Sequence, residues 1–547
     1  MDDDELPQYS KEVAKGSLWS FIGNILSKLV SFFYVILLAR SASQDDVGLF
    51  YLSYSIIGLV MVFSDLGLPG SLQRYVPYFE GRKEPGKISS LFKATYALVT
   101  LSSLVFMGLV WWQADSFAAS YHNPGLADAL RFIVPFVLIG SAFRINTIYL
   151  QGRADIRAMQ YIINLQNFLK LVLTLALFYF FGASLFTISL AFTLSHLLAI
   201  IASVFPLRRV SGSVPPSAAP ISRHEMLREI IPFGFMLSIL SSFTVIIASS
   251  DRILLGYLSP AQDANTTVAI YAIATTLASL LTTLPLSIEL IFLPLISRMV
   301  GMEDMDSVRK TTQTAMRWTI LVTIPVAIVM MLFSSDMLGV LYGDSYRPGA
   351  LAMAIVTLAF LVRTYASMMS LTLAALRRVE LELRVYLAVA VLNIALNALL
   401  IPAYGMDGSA LATLASFALM LVLFYHYSRR IFGFSFHSGI FKITAAGAIA
   451  FILVLAASGP LSSLVSSLPQ PGSGEFQAYA SKLVYLAYLG ILTGLALGIF
   501  GLSSLALRCI SREDVVLMRR AMLKAKVPMR FVDLAQKVAS LGVDKAA

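Results

Sequence analysis

Charged side chains are scarce in this chain. Asp, Glu, Lys and Arg make up 13% of its 547 residues, about half the share found in soluble proteins. By contrast 58% of the residues are hydrophobic, and mean hydropathy is +0.78. This composition excludes a water-soluble globule. It also excludes a disordered chain, which needs low hydrophobicity and high net charge. Cysteine is nearly absent: Cys509 stands alone, so there is no intramolecular disulfide and no cysteine metal site. The pattern G-x-x-x-x-G-K-[ST] is missing, and with it an ATPase cassette on the same chain. Met1-Asp2-Asp3-Asp4-Glu5 is acidic where a cleavable signal peptide is basic. The longest segment expected outside the membrane, about 459–482, is rich in Ser, Gly and Pro. It offers none of the acidic motifs on which a membrane glycosyltransferase or oligosaccharide ligase depends. No enzymatic activity, cofactor or metal is expected.

What the chain has is apolar runs of spanning length, about 20 residues each. Fourteen are expected, among them span two at 48–77, span eight at 268–297, spans eleven and twelve at 382–403 and 407–428, and the last two at 439–458 and 483–507. The fold class is therefore an all-α polytopic membrane protein. Loop cations set its orientation. Arg82, Lys83, Lys87 and Lys93 follow span two, Arg208, Arg209, Arg223 and Arg228 follow span six, and Arg298, Arg309 and Lys310 follow span eight. Loops on the other side carry little beyond Arg40, Arg131, Arg347 and Lys482. The bias places both termini in the cytoplasm of a multi-pass cell-membrane protein. It also accounts for the net charge of +10 without a nucleic-acid partner.

The two halves repeat weakly. Ile36-Leu37-Leu38 leads through Gln44-Asp45 to Val47-Gly48, and Ile253-Leu254-Leu255 leads through Gln262-Asp263 to Val268-Ala269. The offset holds across six spans, an even number, so both copies enter the membrane in one direction and a substrate site is expected between them. The expected organisation is a six-helix lobe at 1–208, a cytoplasmic linker at 209–228 holding Pro215-Pro216, and a second six-helix lobe at 229–432. Two extra helices at 433–507 and a basic tail at 508–547 follow. The tail mixes cations with apolar residues and suits the anionic inner leaflet as well as it suits water.

Three segments carry a resemblance. Phe63-Ser64-Asp65-Leu66-Gly67-Leu68-Pro69 with Arg74-Tyr75 resembles the second-helix motif of polysaccharide exporters. Asp251-Arg252-Ile253-Leu254-Leu255-Gly256-Tyr257 resembles the end of their seventh helix. Asn393-Ile394-Ala395-Leu396-Asn397, Pro402-Ala403-Tyr404-Gly405 and Gly408-Ser409-Ala410-Leu411-Ala412-Thr413 resemble their most recognisable stretch. Over about residues 10–430 the chain thus resembles Wzx-type oligosaccharide-lipid flippases of the multidrug/oligosaccharidyl-lipid/polysaccharide exporter superfamily. The resemblance implies two lobes around a cavity that opens alternately to either side. It implies a polyprenyl-phosphate- or pyrophosphate-linked oligosaccharide as substrate, with membrane lipids and polysaccharide assembly proteins as partners. An ion-coupled drug or small-molecule antiporter on the same fold is the alternative.

Ionisable residues inside the spans are the candidate site, because each costs about 2.5 kcal/mol or more at a bilayer centre unless it faces a cavity or a partner. Lys28, Arg144 and Lys170 lie eleven to thirteen residues into their spans, roughly 16–20 Å from a helix end and near the midplane. With Arg363 they form the expected phosphate-binding set, and Arg74 and Arg252 are weaker members. Guanidinium groups suit the phosphate oxygens in bidentate fashion and ammonium groups as point charges. Asn164, Gln166, Asn167, Asn393 and Asn397 are candidates to hydrogen-bond sugars. The acids Asp65, Asp251 and Glu289 are candidates for ion coupling. Structural roles compete with each of these: Asp251 and Arg252 as inter-helix pairs, Arg74 as a residue near the surface, His196 as a satisfied polar residue, and Asn393 and Asn397, i and i+4 on one face, as glue between helices.

Overall fold

In the computed structural model the structure describes residues 8–211, 219–466 and 475–509, and in the tail 533, 536 and 537. The acidic start, most of the linker, the tip of the 459–482 segment and nearly all of the basic tail lie outside the described residues.

Every long element is a helix, as an apolar chain in lipid must satisfy its backbone polar groups within each segment. The first half runs α1 (Gln8–Ser41), α2 (Gln44–Ser64), α3 (Leu68–Gly81), α4 (Pro85–Ser120), α5 (Gly125–Ile133), α6 (Pro135–Gly152), α7 (Ile156–Phe181) and α8 (Leu185–Ser211). A short α9 (Arg223–Glu225) enters a π-turn at Met226–Ile230, and α10 (Ile231–Leu258), α11 (Ala264–Ala278), α12 (Thr283–Gly301), α13 (Met305–Leu332), α14 (Ser334–Tyr342) and α15 (Ala350–Ala375) follow. The chain closes with α16 (Val379–Phe432), α17 (Ser438–Ser466) and α18 (Glu475–Ala506). Local chemistry sets the boundaries. Pro85 and Pro135 open α4 and α6 where no N–H is needed. Ser43 and Asp155 cap α2 and α7 by accepting from the backbone N–H of Asp46 and Ala158, each at 3.1 Å.

Among the described residues twelve helices are long and apolar enough to cross a membrane. One of them, α16, has 54 residues, about 81 Å of helix against a core of about 30 Å. Its backbone breaks at Gly405, φ 55° and ψ −131°, so it holds the expected spans eleven and twelve. The apolar helix Gly490–Ala506, shorter than these twelve, lies within the expected last span. Two expected spans are not single helices. Span two divides between α2 and α3, where Leu66 and Gly67 take φ of 52° and 67°. Span eight divides between α11 and α12 through a 3-10 turn at Ser279–Thr282.

The chain forms two compact units. One comprises Met1–Leu280, Leu338–Met353 and Leu383–Ser416. Within it α2 packs against α10 and α11 at points where only glycine fits. A Cβ on Gly67 would lie 1.8 Å from the Gly234 carbonyl oxygen, and one on Gly48 1.9 Å from that of Asn265. Leu72, Val76, Phe79, Leu91 and Tyr149 close an apolar core between α3, α4 and α6. The other unit comprises Leu281–Met337, Ala354–Glu382 and Phe417–Ala547. There α13 packs on α17, with Gly447 against Ile324. Thr312 and Thr372 share a hydrogen bond at 3.0 Å, and Gln313 donates to the Ser435 carbonyl at 2.6 Å.

Candidate functional site

The structure sorts the intramembrane polar residues into three clusters in the first unit and one in the second. Lys170 is buried on α7. Its Nζ donates to Asn167 Oδ1 at 3.1 Å and lies 4.5 Å over the Tyr34 ring. Asn167 in turn donates to Ser27 at 2.8 Å and accepts from Ser31 at 3.0 Å, which stitches α7 to α1. Among the described residues no carboxylate pairs with Lys170. Lys28, half-buried on α1, likewise has no described partner. His196 is satisfied. Its Nδ1 lies 2.8 Å from the Phe192 carbonyl, which places the proton on Nδ1, and rings of Phe136, Phe143 and Phe192 surround it at 4.8–5.1 Å. Gln166 Nε2 donates to Ser195 Oγ at 3.1 Å and lies 3.3 Å from the same imidazole nitrogen.

The second cluster is an ion pair. Arg144 Nη1 on α6 lies 2.9 Å from Asp65 Oδ2 at the end of α2, with side-chain exposures of 37% and 1%. Two of the expected site residues, one from each list of roles, thus meet. Arg74 stands apart, exposed on α3 with its guanidinium 4.2 Å over Phe233 and 5.5 Å from Tyr75.

The third cluster surrounds Asp251, and it draws together two of the three segments that carry the family resemblance. Asp251 Oδ2 accepts from Tyr271 and Thr413, each at 2.7 Å, and Oδ1 accepts from Asn397 at 2.8 Å. Asn397 Oδ1 accepts from Ser409 at 2.7 Å, and Asn393 Oδ1 from Ser250 at 2.6 Å. All six of these partners are buried. Asn393 and Asn397 thus serve this network rather than an open cavity. Asn164 bonds within its own helix, to the Gln160 carbonyl at 2.8 Å. Sequence reasoning missed Tyr271, Ser409, Thr413 and Ser250 as site residues. Part of the signal was available, since Ser409 and Thr413 lie in the stretch that carries the family resemblance. Arg252 turns away and donates to the Ala248 carbonyl at 2.8 Å, within electrostatic reach of Tyr51 and Tyr54.

In the second unit Glu289 is half-buried, near Ser367 and within electrostatic reach of Arg363. Arg363 is exposed, 5.8 Å from the Phe417 ring centroid. Among the described residues no group of three or more His, Cys, Asp or Glu is arranged to hold a metal ion.

Stacked apolar helices, broken spans and buried polar clusters at mid-helix define a polytopic membrane transporter. The profile of the polysaccharide biosynthesis protein family matches residues 13–300, more than half of the sequence, and the chain belongs to that family. The MatE profile matches residues 237–399. An uncharacterized membrane protein, MJ1068 of Methanocaldococcus jannaschii, is 21% identical over 76% of this chain and 83% of its own length. The probable low-salt glycan biosynthesis flippase Agl15 of Haloferax volcanii is 20% identical over the same shares, 76% and 83%. The fold is similar to that of the lipid II flippase MurJ in an inward closed conformation, with a TM-score of 0.65 at 15% identity, covering 87% of this chain and 98% of that one.

Proposed function

We propose that this protein is a flippase that moves an oligosaccharide linked to a polyprenyl phosphate or pyrophosphate from the cytoplasmic to the outer leaflet of the cell membrane, for cell-surface polysaccharide assembly. The observation that carries the reading is the state of the deep cations. Lys28 and Lys170 have no carboxylate partner among the described residues, and Arg144 keeps an accessible guanidinium beside its buried partner. Cations held at depth without full neutralisation suit an anionic group that passes through the membrane. A relative described as a probable glycan biosynthesis flippase supports the sugar.

In this reading Lys28, Arg144, Lys170 and Arg363 hold the phosphate end, and Arg74 and Arg252 assist. Lobes at 1–208 and 229–432, joined by the 209–228 linker, expose the site alternately. The carboxylates Asp65, Asp251 and Glu289 are the groups through which an ion gradient would act. Both termini are cytoplasmic, and polysaccharide assembly proteins receive the product.

Transport of a labelled polyprenyl-linked glycan in proteoliposomes tests the reading. The wild type should flip it. Arg144→Ala and Lys170→Ala should not, while reaching the membrane at normal abundance. Arg144→Lys should be impaired, because lysine cannot supply bidentate contact. Export at wild-type rates by both alanine variants would refute the phosphate site. The match of the MatE profile to residues 237–399 favours a second reading, ion-coupled antiport of small molecules. Uptake of a cationic dye in place of the glycan would select it.

A further inference from the structure

The Asp65–Arg144 pair is lopsided. The carboxylate is shut in at 1% side-chain exposure, while the guanidinium is open at 37%. Arginine presents five N–H donors in one plane, and Asp65 engages the Nη1 end at 2.9 Å. That contact is the one described for the Arg144 side chain, so the rest of the donor plane is free. An anion approaching from the accessible side meets Arg144 without first displacing Asp65.

The backbone sets Asp65 in place at a cost. The Asp65 N–H still donates to the Met61 carbonyl at 2.9 Å, as the last turn of α2. The chain then turns through two left-handed residues, Leu66 and Gly67, and Gly67 backs onto the Gly234 carbonyl. A leucine at positive φ is strained, and such strain persists only where the surroundings enforce it, often at a ligand site. The break is thus fixed from both sides, by α10 through Gly67 and by Arg144 through Asp65.

We propose that Asp65 is the positioning residue for Arg144: it holds one end of the guanidinium so that the free edge faces the phosphate of the lipid-linked substrate. The assignment rests on the phosphate reading above, and it gives Asp65 an orienting task in place of ion coupling. Two effects of the carboxylate oppose each other. Its charge weakens the attraction of Arg144 for phosphate, whereas its grip removes the freedom an unheld arginine would lose on binding. The sign of the change on neutralising Asp65 separates them.

The measurement is the affinity of the full-length protein in nanodiscs for polyprenyl monophosphate, read by native mass spectrometry, with uncharged polyprenol as the control lipid. Asp65→Asn should weaken phosphate binding about tenfold, as expected for loss of one close charged contact, and should leave polyprenol binding unchanged. Asp65→Glu keeps the buried charge but shifts the carboxylate, and it should weaken binding too. This second variant decides the matter if the first does not fold. Unchanged or tighter phosphate binding by either folded variant overturns the positioning role while leaving the phosphate site standing. Wild-type phosphate affinity in Arg144→Ala instead removes the phosphate site, and the positioning role falls with it.

Discussion

Tyr271→Phe isolates one bond of the Asp251 network. The ring is retained, so packing in a site where Tyr271 is 1% exposed is preserved, and only the O–H that donates to Asp251 Oδ2 at 2.7 Å is lost. Two magnitudes compete. Hydrogen bonds to charged groups contribute about 1.5–3 kcal/mol, while those between membrane helices average about 0.6 and reach about 1.7. Here the acceptor is a carboxylate, but Thr413 still serves Oδ2 and Asn397 serves Oδ1, so no oxygen is orphaned. The expected loss is therefore about 1–1.7 kcal/mol. Tyr271→Phe combined with Thr413→Val strips Oδ2 of both donors, and the double loss should exceed the sum of the single losses by about 0.5 kcal/mol or more. Unfolding in SDS, followed for both single variants and the double, supplies the cycle. A Tyr271→Phe protein within about 0.3 kcal/mol of wild type and strictly additive with Thr413→Val would refute the network as a stabilising unit.

Gly67→Ala should abolish stable protein, because the new Cβ meets the Gly234 backbone oxygen at 1.8 Å and the residue stands at φ 67°. Gly234→Ala should be milder, since its Cβ meets first the movable Ser71 hydroxyl at 2.7 Å; thermal stability in detergent compares the two. A reporter active only outside the cytoplasm should give signal at Gln113, Ser259 and Ser473 and none at Ser211 or Ala547, and outward signal at either of the last two would sink the proposed orientation. In the loop before α13, Asp304 caps the helix by accepting from the Ser307 N–H at 3.0 Å, and the Ser307 hydroxyl together with that N–H holds its carboxyl below the usual carboxylate range. Its stabilising contribution is full above the ordinary Asp value, about 3.9, and fades as pH falls through the depressed one. Asp304→Ala should thus lower thermal stability at pH 7 and make no difference in strong acid.

The spans were legible because spanning length is written directly into each apolar run, and the paired loops repeat the message in their cations. What the runs did not carry is rotation about each helix axis. Lys28, Arg144 and Lys170 stand at similar depth by residue count, yet Arg144 turns to a carboxylate and Lys170 to a carboxamide and a ring. Asp65 and Arg144 were both singled out, but their meeting depends on how α2 and α6 face each other. Around Asp251 the charged residue and both asparagines were visible as polar interruptions of apolar helix. The role of Thr413 was not, since a serine or threonine hydroxyl in a membrane helix commonly bonds to its own backbone, as Thr312 and Thr323 do here, and nothing in the sequence aims the Tyr271 phenol at Asp251. The break beside Leu66 was partly legible: Gly67, Pro69 and Gly70 interrupt the span, whereas leucine, an ordinary helix former, gives no sign of the left-handed turn it takes.

The Asp65–Arg144 pair also bears on how the protein is made. Asp65 leaves the ribosome first, and Arg144 follows about 80 residues later, roughly 4–16 s at synthesis rates of about 5–20 residues per second. Throughout that interval the end of α2 carries an acid that is fully buried in the folded protein, and its eventual neutraliser has yet to be translated. Released at once into the bilayer, the break after α2 would stand with its acid unpaired. Biogenesis therefore favours retention of α1–α4 beside the insertion machinery until α6 emerges, with the first half of the chain entering the bilayer as one preassembled group rather than helix by helix.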